Sequence, residues 1–210
     1  MVKIAPSILS VEIEKIESEV ANLEKAGADY IHIDVMDGEF VPNRTAGTTM
    51  LEKAYDGSDL PLDTHLMVEN PEDYIEDFSI SNILTFHVEV VDTETAYRII
   101  DNLHEREIRV GMAIKPNTPV EEILPYLDNI DLVLVMLVEP GFGGQEMIEE
   151  CLEKVRKIRE LRPDIDIEVD GGINLQNVNK VKDAGANVIV SGTAILKESD
   201  RADVISKMKA

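Results

Sequence analysis

Two histidines and two aspartates stand where their side chains could share one ion. His32 and Asp34 are two residues apart, so on a β-strand they project from the same face with Cα atoms about 6.6 Å apart. His65 and Asp170 stand at the ends of two further strand-like segments. Such a mixed set of nitrogen and oxygen donors suits Zn²⁺, Mn²⁺, Fe²⁺ or Co²⁺ better than Mg²⁺ or Ca²⁺. The pattern predicts one divalent metal ion bound by these four side chains.

A hydrogen-bonded cluster without metal is the alternative interpretation of the same residues. That alternative is usual for a lone histidine, whereas two histidines with two aspartates favour a metal. His87, in the segment Phe-His-Val-Glu, is either a further site residue or a partner that orients a metal ligand. His104 lies in a charged helical segment, where we expect it at the surface.

Glycine-rich turns follow the last three strand-like segments. Glycine lets backbone N–H groups come close to an anion, and three such turns at consecutive strand ends predict a phosphate site. The turns are Glu139-Pro-Gly-Phe-Gly-Gly-Gln145, Asp170-Gly-Gly-Ile-Asn174 and Ser191-Gly-Thr-Ala194. Three methionines also stand at strand ends, where they would either pack in the core or line the site with apolar surface. They are Met36, Met67 and Met136.

Strand-like and amphipathic helical segments alternate along the chain, without a linker or low-complexity segment. The strand candidates are Lys3–Leu9, Asp29–Val35, Leu62–Met67, Ile83–Val88, Ile108–Ile114, Leu132–Leu137, Ile165–Asp170 and Val188–Ser191. The clearest helical patterns are Glu12–Ala26, Glu94–Arg106, Met147–Leu161 and Leu175–Ala184. Alternation of this kind predicts an α/β fold with a parallel sheet.

Two features favour a closed barrel over a doubly wound open sheet. Eight strands are predicted, and polar residues collect at the C-terminal ends of several of them, where barrel active sites lie. We therefore expect a (β/α)8 TIM barrel that forms one domain over residues 1–210. In the segment 165–170, apolar and acidic residues alternate, so the acidic set would point into the barrel. Ionised groups are costly there unless they are paired or bound to a metal.

The excess of acidic residues limits the possible partners. The chain has 20 Lys and Arg against 42 Asp and Glu, a net charge of -22, so nucleic acid and anionic membrane surfaces are poor partners. A phosphate site must then be local and built from backbone N–H groups. The single cysteine, Cys151, permits no intrachain disulfide, which is typical of a cytoplasmic protein. No signal peptide or membrane-spanning run is expected.

Several longer segments carry a resemblance to a known family. They are Ala5-Pro-Ser-Ile-Leu-Ser10, His32-Ile-Asp-Val-Met-Asp-Gly38, Phe40-Val-Pro-Asn43, His65-Leu-Met67, Val135-Met136, Pro140-Gly-Phe-Gly-Gly-Gln145, Glu168-Val-Asp-Gly-Gly-Ile173 and Val190-Ser-Gly-Thr-Ala194. Together they resemble the ribulose-phosphate 3-epimerase family along essentially the whole chain. The resemblance implies a metal-dependent isomerase of the pentose-phosphate pathway that interconverts D-ribulose 5-phosphate and D-xylulose 5-phosphate. It also implies a homo-oligomer, either a dimer or a hexamer.

The resemblance further implies a role for each matching residue. Asp34 and Asp170 correspond to an acid/base pair that carries out a 1,1-proton transfer through a metal-stabilised enediolate. The implied metal ligands are His32, Asp34, His65 and Asp170. The implied substrate-binding residues, which include the phosphate cradle and the methionine lining, are Ser7, Met36, His65, Met67, Met136, Gly141, Phe142, Gly143, Gly144, Gly171, Gly172, Gly192 and Thr193.

Three other functions stay open at this point. An epimerase for a six-carbon ketose phosphate, such as allulose 6-phosphate, would use the same chemistry, and Arg44 departs from the family pattern in a loop over the site. A Schiff-base aldolase would use Lys115, but the sequence shows no setting that would lower the pKa of that amine. A phosphate-ligand sensor without turnover is disfavoured by the intact pair Asp34 and Asp170.

Overall fold

Eight parallel strands form one sheet in the computed structural model, which describes residues 2–210. The strands are β1 (Lys3–Ala5), β2 (Ile31–Met36), β3 (Leu62–Met67), β4 (Ile83–His87), β5 (Arg109–Ile114), β6 (Leu132–Met136), β7 (Asp166–Asp170) and β8 (Val188–Val190). From β2 to β8 each strand pairs with the next in sequence, and β1 pairs with β8. A parallel bridge between Ser7 and His32 joins β1 to β2, with the Ile8 N–H donating to the His32 carbonyl at 3.1 Å. The predicted barrel is therefore confirmed.

The α-helices lie outside the barrel and pack their apolar faces on it. Within the described residues they are α1 (Ile16–Lys25), α2 (Gly47–Gly57), α3 (Thr93–Glu105), α4 (Leu152–Leu161), α5 (Val178–Ala184), α6 (Thr193–Leu196) and α7 (Arg201–Lys209). Helix α3 buries Ala96, Ile99, Ile100 and Leu103, the spacing of a helix with one apolar face. Among these helices, none is long and apolar enough to cross a membrane.

Two crossovers in the described chain have 3₁₀ turns in place of α-helices. The turn Pro71–Tyr74 joins β3 to β4, and the turns Val120–Glu122 and Leu124–Tyr126 join β5 to β6. Pro119 and Pro125 explain the second case, because proline lacks the N–H of a helical hydrogen bond and its ring clashes with the preceding turn. Strands still alternate with helical segments, but in these two connections the helical segments are 3₁₀ turns of only three or four residues.

Alternation along each strand separates an inner core from an outer one. Ile167 and Val169 of β7 belong to the larger cluster, which lies between the sheet and the helices. Leu132 and Leu134 of β6 belong to the smaller cluster inside the barrel. The acidic residues of β7 alternate with Ile167 and Val169 and therefore project into the barrel, as their spacing predicts.

Candidate active site

The four predicted metal ligands converge at the carboxyl ends of the strands. Strands β2 and β3 pair with Asp34 beside His65, and Asp170 is the last residue of β7. One ligand atom from each of His32, Asp34, His65 and Asp170 lies within 4.8 Å of every other. Both histidines are fully buried and Asp34 is 3% exposed, whereas Asp170 is only partly buried.

Asp34 contacts three of its neighbours. Its Oδ1 lies 3.4 Å from His32 Nε2 and 3.3 Å from His65 Nδ1. Its Oδ2 accepts a hydrogen bond from Ser7 Oγ at 2.7 Å. His32 Nε2 is buried and makes no hydrogen bond within the described residues. Because buried polar atoms normally have partners, a bare ring nitrogen that faces a carboxylate at this distance fits a bound cation.

A second pair of carboxyl groups lies beside His32, farther from the mouth of the barrel. Asp63 Oδ2 is 2.7 Å from His32 Nδ1, a contact that turns Nε2 toward Asp34. Glu168 Oε1 is 3.5 Å from the same nitrogen, and both carboxyl groups are fully buried. Sequence reasoning gave Asp63 and Glu168 no role. Their position two residues before His65 and Asp170 on the same strands is the signal that could have found them.

Burial and neighbouring charges shift these carboxyl groups in opposite directions. Burial raises the pKa of Asp34, but the charges of His32 and His65 together outweigh it and hold that pKa well below its usual range. Burial and the charge of Asp34 raise the pKa of Asp170 to about 6. Burial and the charge of Asp63 likewise raise the pKa of Glu168 well above its usual range. A carboxylate beside a carboxyl group whose pKa is raised toward neutrality is an arrangement suited to acid–base chemistry.

His87 contacts a ligand instead of joining the ligand group. Its Nε2 lies 2.9 Å from His65 Nε2, and its Nδ1 lies 2.9 Å from Glu89 Oε2. Burial lowers the pKa of His87 to about 4. Burial raises the pKa of Glu89, but the hydrogen bonds from His87, Lys115 and Thr118 together with the charge of His87 outweigh it, and the result is a pKa of about 2. Of the two roles that the sequence left open for His87, the geometry favours orientation of a ligand.

A cavity of about 1050 Å³ opens above the ligand group. Its wall contains almost all of the predicted substrate-binding residues. They are Ser7, Met36, Met67, Met136, Gly141, Phe142, Gly143, Gly144, Gly171, Gly172, Gly192 and Thr193. His65 is the predicted substrate contact that does not line this cavity, because it is fully buried beneath the wall.

The glycine turns after β6 and β7 require their glycines. Gly144, Gly171 and Gly172 all have positive φ, at 77°, 124° and 68°. A Cβ on Gly172 would lie 2.5 Å from the Met147 backbone nitrogen. Turns of this kind suit an anion site, because glycine lets backbone N–H groups come close to a bound anion.

Two loops meet over the cavity. Asn43, in the loop 37–47, donates a hydrogen bond from Nδ2 to the Gly141 carbonyl at 3.2 Å. Phe142 is 56% exposed on the second loop. Arg44, the departure noted in the sequence, is exposed and lies outside the cavity wall. Lys115, the lysine of the aldolase alternative, also lies outside that wall, with its Nζ 3.6 Å from the centroid of the Phe40 ring.

Known proteins resemble this chain in both sequence and fold. The model described as "Ribulose-phosphate 3 epimerase family" matches residues 3–196. A Schizosaccharomyces pombe protein named ribulose-phosphate 3-epimerase is 44% identical over 212 residues, which cover 99% of this chain and 92% of that protein. A Bacillus subtilis protein of the same name is 43% identical over 216 residues, which cover 100% of this chain and 99% of that one.

Solved structures resemble the chain in fold at low sequence identity. A 3-hexulose-6-phosphate synthase superposes with a TM-score of 0.70 at 17% identity, and the match covers 100% of this chain and 98% of that one. A Mycobacterium tuberculosis tryptophan synthase superposes with a TM-score of 0.68 at 12% identity, covering 99% and 91% of the two chains. At such identities the likeness shows the barrel fold alone.

Proposed function

Since the chain belongs to the ribulose-phosphate 3-epimerase family and is an epimerase, we propose that it inverts C3 of D-ribulose 5-phosphate to give D-xylulose 5-phosphate. One observation carries the proposal. Asp34 and Asp170, from strands on different sides of the site, both line the cavity and have carboxyl oxygens within 4.8 Å of each other.

Inversion of a carbon requires that a proton leave one face and that another arrive on the opposite face. Two carboxyl groups on different strands can act on the two faces, which a single group cannot. Asp34 accepts the C3 proton as a carboxylate, while Asp170 delivers the proton that it holds. The two groups exchange protonation states in each turnover, so the reverse reaction begins from the exchanged form. Each positioned group contributes about 10²–10⁴-fold to the rate.

His32, Asp34, His65 and Asp170 would hold one divalent ion, with Zn²⁺, Mn²⁺, Fe²⁺ and Co²⁺ as the candidates. The bare Nε2 of His32 supports this assignment, as does the mixed nitrogen and oxygen donor set. When bound, such an ion supplies a Lewis acid that stabilises negative charge on the substrate oxygens beside C3. Ser7 holds Asp34 Oδ2 by its hydrogen bond and thereby turns Oδ1 toward the two histidines.

The remaining cavity residues would bind and shield the substrate. Backbone N–H groups of the turns at Gly144, Gly172 and Gly192 would hold the phosphate, and this remote binding orients C3 between the carboxyl groups. Met36 and Met67 are nearly fully buried in the cavity wall. Such apolar side chains keep water away from the deprotonated substrate and limit its side reactions.

The test follows deuterium at C3 in D₂O. Purified protein is incubated with D-ribulose 5-phosphate and observed by NMR, before and after chelation and with each candidate metal added back. We expect deuterium at C3 together with xylulose 5-phosphate, and loss of both on chelation. If product still forms after complete metal removal, the epimerase assignment stands and the proposed role of the metal is wrong.

Allulose 6-phosphate is the second substrate in the same experiment. The cavity volume of about 1050 Å³ leaves room for either sugar phosphate. A larger kcat/KM for the six-carbon substrate would replace the pentose assignment. Binding without exchange or product, for both sugars and with every candidate metal, would favour the sensor.

A homo-oligomer and a cytoplasmic location complete the proposal. The buried state of Cys151 supports the second, because a free thiol shielded in the core needs no oxidising compartment. Light scattering on the purified protein distinguishes a dimer from a hexamer, and a monomer at working concentration would contradict the oligomer.

A further inference from the structure

We propose that His87 and Glu89 position His65 as a metal ligand by fixing which of its two ring nitrogens carries the proton. The proposal rests on the metal-dependent function proposed above. It concerns residues that neither line the cavity nor belong to the ligand group, so their role is to act through His65.

The two nitrogens of His65 have different surroundings. Nδ1 faces Asp34 Oδ1 at 3.3 Å, on the side of the ligand group. Nε2 lies 2.9 Å from His87 Nε2, on the opposite side of the ring. His65 and His87 are both fully buried, so water is not the partner of these nitrogens. A metal needs a lone pair on Nδ1, and Nε2 must then carry the proton.

The contacts of His87 determine the position of that proton. Its Nδ1 lies 2.9 Å from Glu89 Oε2, and a carboxylate can only accept at that distance, so Nδ1 carries a proton. A neutral His87 then has a lone pair on Nε2. The single proton between the two Nε2 atoms must therefore belong to His65. In the metal-bound protein, where Nδ1 does not donate to Asp34, the result is a lone pair on His65 Nδ1.

Glu89 is itself held in place by the loop that follows β5. Its Oε1 accepts a hydrogen bond from the Lys115 backbone N–H at 2.7 Å and another from the Thr118 hydroxyl. Lys154 of α4 donates from Nζ to three carbonyls of this loop, those of Lys115, Pro116 and Thr118, at 2.8, 2.7 and 2.6 Å. These bonds hold Glu89 in place as a hydrogen-bond acceptor. They also connect helix α4, through Glu89 and His87, to the proposed metal ligand His65.

The other histidine ligand is oriented more directly. Asp63 Oδ2 contacts His32 Nδ1 at 2.7 Å without an intervening residue. His65 has no such neighbour, because the residue opposite it on β4 is Thr85, whose hydroxyl makes no hydrogen bond within the described chain. The imidazole of His87, two residues further along β4, bridges the distance to Glu89. Both ligands thus have a carboxylate that sets their tautomer, one directly and one through a second histidine.

The test measures Zn²⁺ affinity of the metal-stripped protein by competition with a chromophoric chelator. The variants are His87→Leu, His87→Gln and Glu89→Gln. Glu121→Gln is the matched control, because Glu121 is also ion-paired, with Lys157, but lies away from the histidines. We expect His87→Leu to weaken Zn²⁺ binding by about 10–100-fold. Glu89→Gln should do the same, because the Lys115 backbone N–H holds the amide oxygen and leaves the NH₂ group, which cannot accept a proton, facing His87 Nδ1. His87→Gln should lose less, since its amide oxygen can still accept from His65 Nε2–H.

Two further readouts separate positioning from a general structural effect. At saturating Zn²⁺ the kcat of Glu89→Gln should return toward that of the unaltered protein, because Glu89 does not line the cavity. Long-range ¹H–¹⁵N NMR of the Zn²⁺-loaded protein should show a proton on Nε2 of His65 and on Nδ1 of His87. Thermal unfolding of each metal-stripped variant detects any loss of fold, and Glu89→Gln decides the matter if His87→Leu does not fold.

The outcomes distinguish this proposal from the one on which it rests. Equal Zn²⁺ affinity in the unaltered protein, His87→Leu and Glu89→Gln would overturn the positioning role alone. A proton on Nδ1 of His65 in the Zn²⁺-loaded protein would do the same. If the unaltered protein bound none of the candidate metals, the metal-dependent function would be what fails.

Discussion

The two ends of strand β7 hold the same side chain in opposite electrostatic states. Asp166, the first residue of β7, accepts hydrogen bonds from Arg109 at 2.8 Å and Asn187 at 2.6 Å, with Lys3 at 3.3 Å. Burial raises its pKa, but these partners outweigh burial and lower it. Asp170, the last residue, lies beside Asp34, and burial with that charge raises its pKa to about 6. Both side chains project from one face of one strand.

The difference shows that residue type and strand position do not decide the charge state of a carboxyl group. At the lower end of the barrel, cations and amide donors compensate the carboxylate, so the group contributes to stability. At the upper end, the neighbour of Asp170 is a second carboxylate, Asp34, and not a cation. The repulsion lowers the stability of the fold and raises the pKa of Asp170 into a range that suits proton transfer. This matches the division of a barrel into a stabilising end and a catalytic end.

The largest expected effect is on turnover, at the upper end. Asp34→Asn and Asp170→Asn should each lower kcat by about 10²–10⁴-fold, because each removes one of the two groups that we propose for proton transfer. In the metal-stripped protein, Asp170→Asn should keep or raise the melting temperature, since it removes a partly buried carboxyl group that lies beside a like charge. Steady-state kinetics and thermal unfolding check both statements. Near-normal turnover in either metal-loaded variant would contradict the two-carboxylate mechanism.

The next effect is on metal affinity, in the middle of the barrel. Asp63→Ala removes the acceptor for His32 Nδ1 and should weaken Zn²⁺ binding by about 10–100-fold. Asp63→Asn is the matched control, because its amide oxygen can still accept that proton and should preserve more of the affinity. Isothermal titration of the metal-stripped proteins provides the comparison. Equal affinity in all three proteins would mean that Asp63 does not orient His32.

A smaller effect is expected at the lower end, on stability alone. Asp166→Ala should lower the free energy of unfolding by about 1–2 kcal/mol, because it removes partly buried hydrogen bonds from the Arg109 guanidinium and the Asn187 amide. Its kcat/KM should be unchanged. Asp128→Ala is the control, since the side chain of Asp128 is 91% exposed in its ion pair with Arg162 and such pairs contribute little. Urea unfolding measures the free energy of unfolding of both variants. A loss of turnover in Asp166→Ala would contradict the division into an end that stabilises the fold and an end that carries the chemistry.

The smallest effect is the pH dependence of that stability difference. The folded-state pKa of Asp166 lies below its usual value of 3.8. Its contribution is therefore complete above 3.8 and is lost as the pH falls through the lower folded-state pKa. The difference in unfolding free energy between the unaltered protein and Asp166→Ala should be constant near neutrality and shrink in acid. A difference that grew with acidity would assign the effect to another group.

Much of the barrel could be predicted from sequence, and the misses have physical causes. Strand Leu62–Met67 has the predicted bounds, and each other strand ends within a few residues of its prediction. Helix α2 was not predicted, although it buries Met50, Leu51 and Ala54. It begins at Gly47, without a side chain that caps its N-terminus, so the usual start signal is absent. The prolines between β5 and β6 are also a local cause, because they disfavour an α-helix in that crossover, which has 3₁₀ turns instead.

The sequence by itself determined which residues face into the barrel and which of them end a strand. It could do so because alternation along a strand is a local property with a period of two residues. This was enough to place His32, Asp34 and Asp170 in one site. Only the tertiary structure decided that Asp63 and Glu168 flank His32 and that His87 connects His65 to Glu89. Contacts between strands and the charge states of buried groups depend on register and burial, which the whole folded chain sets.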